Sequence, residues 1–308
     1  YLQHADHFAR ILSIQELNKS QNDSNNIIEQ DFKKNLDNTK TSGQKLCDSL
    51  QEMGTTFIKL GQFLATRPDI IGQSLANDLE RLQDKLPPFG KSVSENIIKK
   101  EIGIKNFEKI SNLSNPIAAA SIAQVHLATI IEENKERQVA IKILRPNIEK
   151  VFNEELDALM LLAYFVEGTI KKSKRLKLVE VVHLLKEITN IEMDLRFEAA
   201  AANELYENTK NDLGFDVPKI YWNYTTKKIL TLDKVEGVSI REHQKLQELG
   251  VDLKKLAENL IQHFLKQAVR DGFFHGDMHQ GNLFVNKNGN IIPVDFGIMG
   301  RLDKNNRK

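Results

Sequence analysis

The chain has 308 residues, a formal net charge of +1 and 28% charged residues. Its length predicts about two domains with sizeable cores, and a charge so close to neutral gives no electrostatic reason to expect a nucleic-acid partner. The single cysteine, Cys47, excludes an internal disulfide framework and is typical of a reducing compartment.

The sequence shows neither a membrane-spanning pattern nor a signal-peptide pattern. Its longest apolar run, residues 158–166, is nine residues long, whereas roughly 20 are needed to cross a bilayer. The first six residues lack the charged and apolar regions of a signal peptide. We expect the basic run at 171–177 to lie on a solvated surface; contact with an anionic membrane surface is the alternative.

Periodicity and turn signals predict that the N-terminal part of the chain is helical. In chain order we expect a mobile linker or frayed helices at 18–44, helix from Leu46 to about Leu82 with a break at Pro68, a turn at 87–90, and a helix from Ser92 to Phe107 with Ser94 as its N-cap.

After Pro116, β-branched and apolar residues predict strands, and the chain as a whole therefore reads as α+β. We expect strands at 122–130 and 138–144, helix at 150–208, a strand from Lys228 to Val235, a helix from Asp252 to Arg270, and a hairpin of strands 283–285 and 291–294 around an Asn-Gly turn.

The most specific pattern is His275-Gly276-Asp277, followed by Asn282 and, thirteen residues after Asn282, by Asp295-Phe296-Gly297. The predicted hairpin would bring Asn282 and Asp295 side by side. Amide and carboxylate oxygens are the ligands that Mg²⁺ takes when it also holds phosphates. Asp277 is placed to orient or deprotonate an attacking hydroxyl, so the spacing is that of a phosphotransfer site in the protein-kinase-like superfamily.

A lysine, Lys142, interrupts the apolar strand from Val139 to Leu144, where a charge is costly unless it is paired. Glu198 falls among the apolar residues that we expect to form the buried face of the helix that follows. We therefore expect Lys142 and Glu198 to pair and to hold the phosphates of ATP, with an ordinary ion pair as the alternative. The expected buried face consists of Leu184, Ile188, Ile191, Leu195, Ala202 and Leu205.

Two further segments are expected to contact the nucleotide. The backbone of Asp233 and Val235 lies where the two lobes of a kinase join and where the adenine edge would bind. The loop of Ala118, Ala119, Ala120 and Ser121 stands in place of a Gly-rich loop but contains no glycine. It should therefore be stiffer and offer fewer free N–H groups; a helix start at 118–123 is the alternative.

Lys59-Leu60-Gly61-Gln62 resembles the K-x-G-Q motif of the UbiB/ADCK (aarF) family of atypical kinases. The alanine-rich loop and Glu192-Met193-Asp194 resemble two further motifs of that family, and the resemblance runs from about Gly54 to Arg301. It implies a protein-kinase-like two-lobed fold whose K-x-G-Q helix folds over the active site. Lys59, with Gln62 beside it, would then contact Glu192 and Asp194 in a regulatory role.

The resemblance also implies a function. Mg²⁺-dependent binding and hydrolysis of ATP would support ubiquinone (prenylquinone) biosynthesis at a membrane, on its cytoplasmic side. The implied partners are ATP or ADP, prenylquinone lipid intermediates, the membrane surface and other quinone-biosynthesis enzymes. The nucleotide and metal positions of the family are matched by Lys142, Glu198, Asp277, Asn282 and Asp295.

These expectations divide the chain into four parts. Because a kinase-like C-lobe needs further helices after Asp295, we expect the chain to be a fragment, with its membrane anchor elsewhere. The parts are an N-terminal helical or linker region at 1–50, a family-specific helical extension at 51–115, a kinase-like N-lobe with a helical insert at 116–236, and a partial C-lobe at 237–308.

The leading interpretation is an atypical kinase-fold ATPase or phosphotransferase. A small-molecule kinase of the aminoglycoside or choline type shares the motif around Asp277, but it has no need of a helix over the site. An alternative of a different class is a non-catalytic scaffold or lipid chaperone that uses bound nucleotide as a switch.

Overall fold

The computed structural model of the chain describes residues 41–82 and 86–307. The predicted linker lies outside these ranges up to residue 40. The first described helix begins at Ser42, earlier than predicted, because Thr41 and Gln44 form a capping box. The Gln44 amide donates to the Thr41 hydroxyl, and the Thr41 amide donates to the Gln44 side chain, each at 3.1 Å.

The regular elements of the described residues follow in chain order. The α-helices are α1 (Ser42–Met53), α2 (Thr55–Ala65), α3 (Pro68–Ile71), α4 (Gln73–Leu79), α5 (Lys91–Ile102), α6 (Ile104–Phe107), α7 (Ile148–Thr169), α8 (Leu178–Glu192), α9 (Leu195–Thr209), α10 (His243–Glu248) and α11 (Leu253–Leu265). The strands are β1 (Ile110–Ser111), β2 (Ala118–Ala119), β3 (Ala123–Glu132), β4 (Lys135–Leu144), β5 (Ile229–Asp233), β6 (Val238–Ser239), β7 (Phe273–His275), β8 (Leu283–Val285), β9 (Ile291–Pro293) and β10 (Met299–Arg301). Short 3₁₀ segments cover Lys171–Leu176 and Trp222–Tyr224, and a π-helical turn covers Lys266–Asp271.

The described residues form two compact units. A helical unit contains residues 41–82 and 86 together with 149–187, and a mixed unit contains residues 87–148 and 188–307. In neither described range is a helix both long enough and apolar enough to cross a bilayer. The four-part division of the chain stays a prediction.

The helices of the helical unit are interrupted at more positions than the sequence predicted. The break at Pro68 is confirmed, since Pro68 opens α3. Two more breaks fall at Gly54 and Gly72, whose φ angles of 107° and 85° are unfavourable for residues with a Cβ.

The mixed unit is built on a five-stranded antiparallel sheet in which β1, β3, β4 and β5 are neighbours and β2 also pairs with β3. The predicted strands of the β3–β4 hairpin extend further than expected. They are joined by a tight turn at Glu133 and Asn134, whose φ angles are both positive, at 50° and 58°. Lys142 lies in β4 between Val125 of β3 and Leu230 of β5.

One face of this sheet packs on α5 to form the core of the mixed unit. The buried members of the cluster are Ile98, Ala128, Ile130, Val139, Ile141, Ile143, Tyr221, Tyr224 and Ile229.

The prediction that Ser94 caps a helix is wrong. Gly90 is the N-cap of α5, and Ser94 lies inside the helix with no exposed surface. Its hydroxyl is 2.9 Å from Nε2 of His126 and 3.0 Å from the side-chain amide of Gln124, which donates to it. Ser94 therefore belongs to a buried polar network between α5 and β3. The helix begins at Lys91, three residues before the predicted N-cap.

The predicted buried face around Glu198 is partly wrong. Leu195, Ala202 and Leu205 are buried, but Leu184, Ile188 and Ile191 are exposed. The chain is interrupted between α8 and α9 at residues 193–194, so a single helical periodicity does not run through both helices. Glu198 lies on the buried face of α9 alone, as expected.

Replacing Gly61 with alanine is expected to destabilise the helical unit. A Cβ at position 61 would lie 2.2 Å from Leu82 Cδ1 and 2.8 Å from Leu50 Cδ1, both in buried side chains. Overpacking of this kind costs about 1–3 kcal/mol of unfolding free energy. Gly168→Ala is the matched control, because its Cβ would meet nothing within 4 Å. Urea unfolding followed by circular dichroism should show a loss only for Gly61→Ala; equal midpoints for the two variants would contradict the packing described.

The His126 network predicts a loss of stability in acid. Burial lowers the pKa of His126, partly opposed by its hydrogen bond to the Ser114 carbonyl, while Lys91 and Glu95 act with opposite signs. Because the folded state favours neutral His126, its contribution is complete above the unfolded pKa of about 6.5 and is lost as the pH falls through the lower folded value.

Thermal unfolding of wild type and His126→Gln across this range measures that contribution. The stability advantage of the wild type over His126→Gln should shrink as the pH falls, and the matched control is His183→Gln, a substitution at an exposed histidine. A gap between wild type and His126→Gln that is constant or widens in acid would contradict the assignment.

Candidate active site

The predicted catalytic segment begins at the end of β7. The π-helical turn ends at Gly272, whose φ of 67° lets the chain reverse into the strand. His275 closes β7 and has only 1% of its surface exposed. The Asp277 amide donates to Nδ1 of His275 at 3.2 Å, so the proton lies on Nε2, which donates to the carbonyl of Asp295.

His275 therefore links the loop that carries Asp277 to the segment that carries Asp295. Burial lowers the pKa of His275 and thereby favours the neutral ring, while the two hydrogen bonds fix its tautomer. The ring of Phe296 packs edge-on against it, with the two ring centroids 5.9 Å apart. The chain after Phe296 returns as β10, which pairs with β7, and the Gly276 amide donates to the Ile298 carbonyl at 2.9 Å.

Asp277 and Asn282 are brought together by the loop between them. The side-chain amide of Asn282 donates to Oδ2 of Asp277 at 3.0 Å and to the Asp277 carbonyl at 3.1 Å. Both contacts use the nitrogen of Asn282, so its Oδ1 atom is left for a cation. The Asp277 side chain is 39% exposed and can reach a ligand in solvent.

The predicted hairpin after Asn282 is confirmed as β8 and β9. Leu283 pairs with Pro293, and the Val294 amide donates to the Asn282 carbonyl at 3.0 Å, which places Asp295 one residue beyond the paired position. The turn is closed by Asn286, whose side-chain oxygen accepts from the amides of Asn288 and Asn290 at 2.9 and 3.0 Å.

Lys142 and Glu198 form the predicted ion pair. Nζ of Lys142 donates to both carboxylate oxygens of Glu198, at 2.9 and 2.8 Å, and lies 3.8 Å from Oδ1 of Asp295. The two side chains are 18% and 8% exposed. Burial alone would lower the pKa of Lys142, but the charges of Asp295 and Glu198 outweigh it and hold that pKa above its ordinary value. The lysine is therefore a permanent cation beside two carboxylates.

The alanine-rich segment is a hairpin, so the alternative of a helix start is wrong. Ala118 and Ala119 form β2 and pair with Val125 and Gln124 of β3, and the turn is closed by the Ala120 amide, which donates to the Ala123 carbonyl at 2.8 Å. Ser121 at the turn has no exposed surface, and its hydroxyl has no hydrogen-bond partner among the described residues. A buried hydroxyl without a partner is costly and is suited to a ligand oxygen.

The segment expected to meet adenine lies at the end of β5. The Asp233 amide donates to the Lys219 carbonyl at 3.0 Å, so Asp233 can offer a ligand only its carbonyl. Its carboxylate accepts from the Tyr221 hydroxyl at 2.6 Å. Burial and this hydrogen bond raise the pKa of Tyr221, which keeps the hydroxyl protonated as a donor. Val235 follows the strand, and its amide donates to no acceptor within the described part of the chain.

The four residues assigned a regulatory role lie in different environments. Lys59 and Gln62 are half-buried on α2. The buried residues of that helix are Thr56, Phe57, Ile58, Leu60 and Gly61. Glu192 ends α8, and Asp194 caps α9 while pairing with Arg196, whose Nε and Nη2 donate at 2.9 and 2.6 Å. This pairing lowers the pKa of Asp194. Contact between Lys59 and the two carboxylates stays a prediction.

Sequence reasoning did not assign roles to three residues that hold the site together: His275, Tyr221 and Arg145. The position of His275, two residues before Asp277, could have indicated its role. Tyr221 and Arg145 carry no such signal, because their partners are carbonyls and a carboxylate from distant segments.

Comparison with known proteins gives three findings. Residues 81–308 match the model of the ABC1 atypical kinase-like domain. The chain is 39% identical over 265 residues to a "Probable protein kinase UbiB" from Marinobacter nauticus, an alignment that covers 84% of this chain and 48% of the relative. The solved complex of Rv3197 with erythromycin from Mycobacterium tuberculosis has a TM-score of 0.54 at 25% identity, covering 84% of this chain and 65% of that one. The chain thus spans about half the length of the curated relative.

Removing Lys142 alone should be more harmful than removing both members of the buried ion pair. Lys142→Met leaves Glu198 buried beside Asp295 without its counter-charge and should cost about 3–5 kcal/mol of unfolding free energy. Glu198→Gln should cost less, because Lys142 keeps Asp295 at 3.8 Å. The double variant Lys142→Met/Glu198→Leu should be more stable than Lys142→Met alone. Urea titration measures this order, and a double variant that is the least stable of the three would contradict it.

Proposed function

We propose that the chain binds Mg²⁺ and ATP and acts as an ATPase or phosphotransferase, because it belongs to the ABC1 atypical kinase-like family. This membership confirms the predicted resemblance to the UbiB/ADCK family and the predicted kinase-like fold. The observation that carries the proposal is the ion pair of Lys142 and Glu198 beside Asp295. The buried ammonium of Lys142 is suited to the negative charge of a nucleoside triphosphate, and the carboxylate of Asp295, 3.8 Å from it, is suited to the accompanying metal ion.

Lys142 would bind phosphate oxygens without leaving Glu198. The Lys142 side chain is 18% exposed, and a lysine ammonium has three donors, of which the two contacts with Glu198 leave one for a ligand. Glu198 takes the contacts at 2.9 and 2.8 Å and thereby fixes the direction of the lysine. The neighbouring hairpin would add the hydroxyl of Ser121, which has no partner in the described part of the chain, as a donor.

Asn282 and Asp295 would hold the metal ion. Both offer hard oxygen atoms, and the contacts of Asn282 Nδ2 with Asp277 leave Oδ1 for this purpose, so the residues fit a magnesium ion. Bound there, Mg²⁺ would neutralise developing charge on the phosphates. His275 holds the Asp295 segment in place through its carbonyl.

Asp277 would orient the attacking oxygen and accept its proton. Its Oδ2 is held by the side-chain amide of Asn282 at 3.0 Å, and the side chain is exposed enough to meet a substrate hydroxyl or water. A carboxylate held in this way needs no rearrangement when the acceptor arrives. The carbonyl of Asp233 and the amide of Val235 would receive the adenine edge.

The lipid part of the proposal rests on the family resemblance. We infer that the protein supports ubiquinone (prenylquinone) biosynthesis at a membrane, on its cytoplasmic side, together with other enzymes of that pathway. Lys59 and Gln62 of α2 would regulate the site through Glu192 and Asp194. The alternatives are a nucleotide-switched scaffold and a small-molecule kinase.

The proposal predicts Mg²⁺-dependent ATP turnover by the complete protein. Asp295→Asn should abolish turnover because it removes the charge that holds the metal ion. Asp303→Asn is the matched control, since Asp303 is an exposed carboxylate near the end of the described chain. Phosphate release should be measured with and without vesicles that contain a quinone precursor, and it should rise with the lipid.

The remaining outcomes separate the alternatives. ATP binding without turnover under every lipid condition would favour the scaffold. A small alcohol that stimulates turnover and becomes phosphorylated in equal amount would favour the small-molecule kinase. No binding of ATP at all would contradict the proposal.

A further inference from the structure

A single arginine, Arg145, joins the alanine-rich hairpin, residues 118–123, to a distant segment of the mixed unit. Arg145 follows β4, and its Nε and Nη2 atoms both donate to the Ala120 carbonyl, at 3.0 and 2.8 Å. Its Nη1 atom donates to the Pro87 carbonyl at 3.0 Å. Its backbone amide donates to the Ile122 carbonyl at 2.8 Å, so both main chain and side chain of Arg145 hold the same turn.

The segment of residues 87–89, which we call the strap, is itself fixed to the hairpin. The Phe89 amide donates to the Gln124 side-chain oxygen at 2.9 Å, and the Gln124 amide group donates to the Phe89 carbonyl at 3.1 Å. The guanidinium of Arg145 lies 5.9 Å from the centroid of the Phe89 ring. Gln124 has no exposed surface and belongs to the network of Ser94 and His126, so the strap rests on a rigid base.

The hydrogen bonds from Arg145 to the Ala120 carbonyl determine the direction of the next backbone amide, that of Ser121. A trans peptide directs its carbonyl and its N–H to opposite sides, so the Ser121 N–H faces away from Arg145. Within the described residues this amide donates to no acceptor, and the Ser121 hydroxyl likewise has no partner. Ser121 thus carries two donors that have no acceptor among the described residues, and a contact on the other side of the peptide fixes the direction of its amide.

We propose that Arg145 is a positioning residue for the nucleotide: through the Ala120 carbonyl and the strap it fixes the Ser121 donors for the β- and γ-phosphates, without itself touching the ligand. The proposal rests on the proposed function and deepens it. In a loop without glycine, the backbone cannot adapt freely to phosphate, and its orientation must be set in advance. Arginine suits this task because its planar group reaches two carbonyls at once, whereas a lysine offers a single point of charge.

The test compares nucleotides that differ in the phosphates concerned. Dissociation constants of Mg-ATP and of AMP are measured by calorimetry on the complete protein for wild type, Arg145→Lys and Arg145→Gln. The control is Arg137→Gln, since Arg137 is an exposed arginine of β4, the strand that Arg145 follows. Thermal unfolding of each variant is recorded, and Arg145→Lys keeps the charge and the side-chain stem if Arg145→Gln does not fold.

Both Arg145 variants should bind ATP about tenfold more weakly, as expected for the loss of hydrogen bonds that orient charged ligands. Their affinity for AMP should stay close to that of the wild type, and Arg137→Gln should change neither constant. If Arg145 were merely structural, its variants would bind both nucleotides more weakly by the same factor. That result, or an unchanged affinity for ATP, would overturn this inference but not the proposed function. A wild type that binds no ATP would instead overturn the proposed function.

Discussion

The ion pair of Lys142 and Glu198 is the interaction on which the rest of the site depends. Lys142 is held in the centre of the sheet, and Glu198 lies on the buried face of α9, so two elements far apart in sequence are joined at one point. Each charge would be costly in this environment without the other. The pair leaves Lys142 3.8 Å from Asp295, and in this way a stability requirement of the core places a cation beside the segment that would hold the metal ion.

Around this pair the site is held mainly by hydrogen bonds to backbone carbonyls. His275 holds the carbonyl of Asp295, Asn282 holds that of Asp277, and Arg145 holds that of Ala120. Contacts of this kind fix the path of the main chain and leave side-chain oxygens and amides for a ligand. A loop built from alanine is less adaptable than one built from glycine, and under the proposal such contacts would set its orientation for the ligand.

The sequence predicted which residues of the candidate site lie together better than it predicted the contacts that support them. The hairpin after Asn282 and the pair of Lys142 with Glu198 could be predicted because strand pairing and the cost of a buried charge are local and strong. The start of α5 at Gly90 could not be predicted, because a serine that caps a helix and one that belongs to a buried polar network look alike in sequence. The apolar residues Leu184, Ile188 and Ile191 were wrongly assigned to the same buried face as Glu198, because no proline or glycine marks the break between α8 and α9. Arg145 was missed because the carbonyls that it contacts belong to every residue type.

The structure of the complete protein with magnesium and a non-hydrolysable ATP analogue tests the central claim most directly. The account predicts phosphate oxygens within hydrogen-bond distance of Lys142 Nζ, a metal ion bound by Asn282 and Asp295, and Lys142 still paired with Glu198. A nucleotide bound elsewhere, or one whose phosphates avoid Lys142 while the ion pair stays intact, would contradict it.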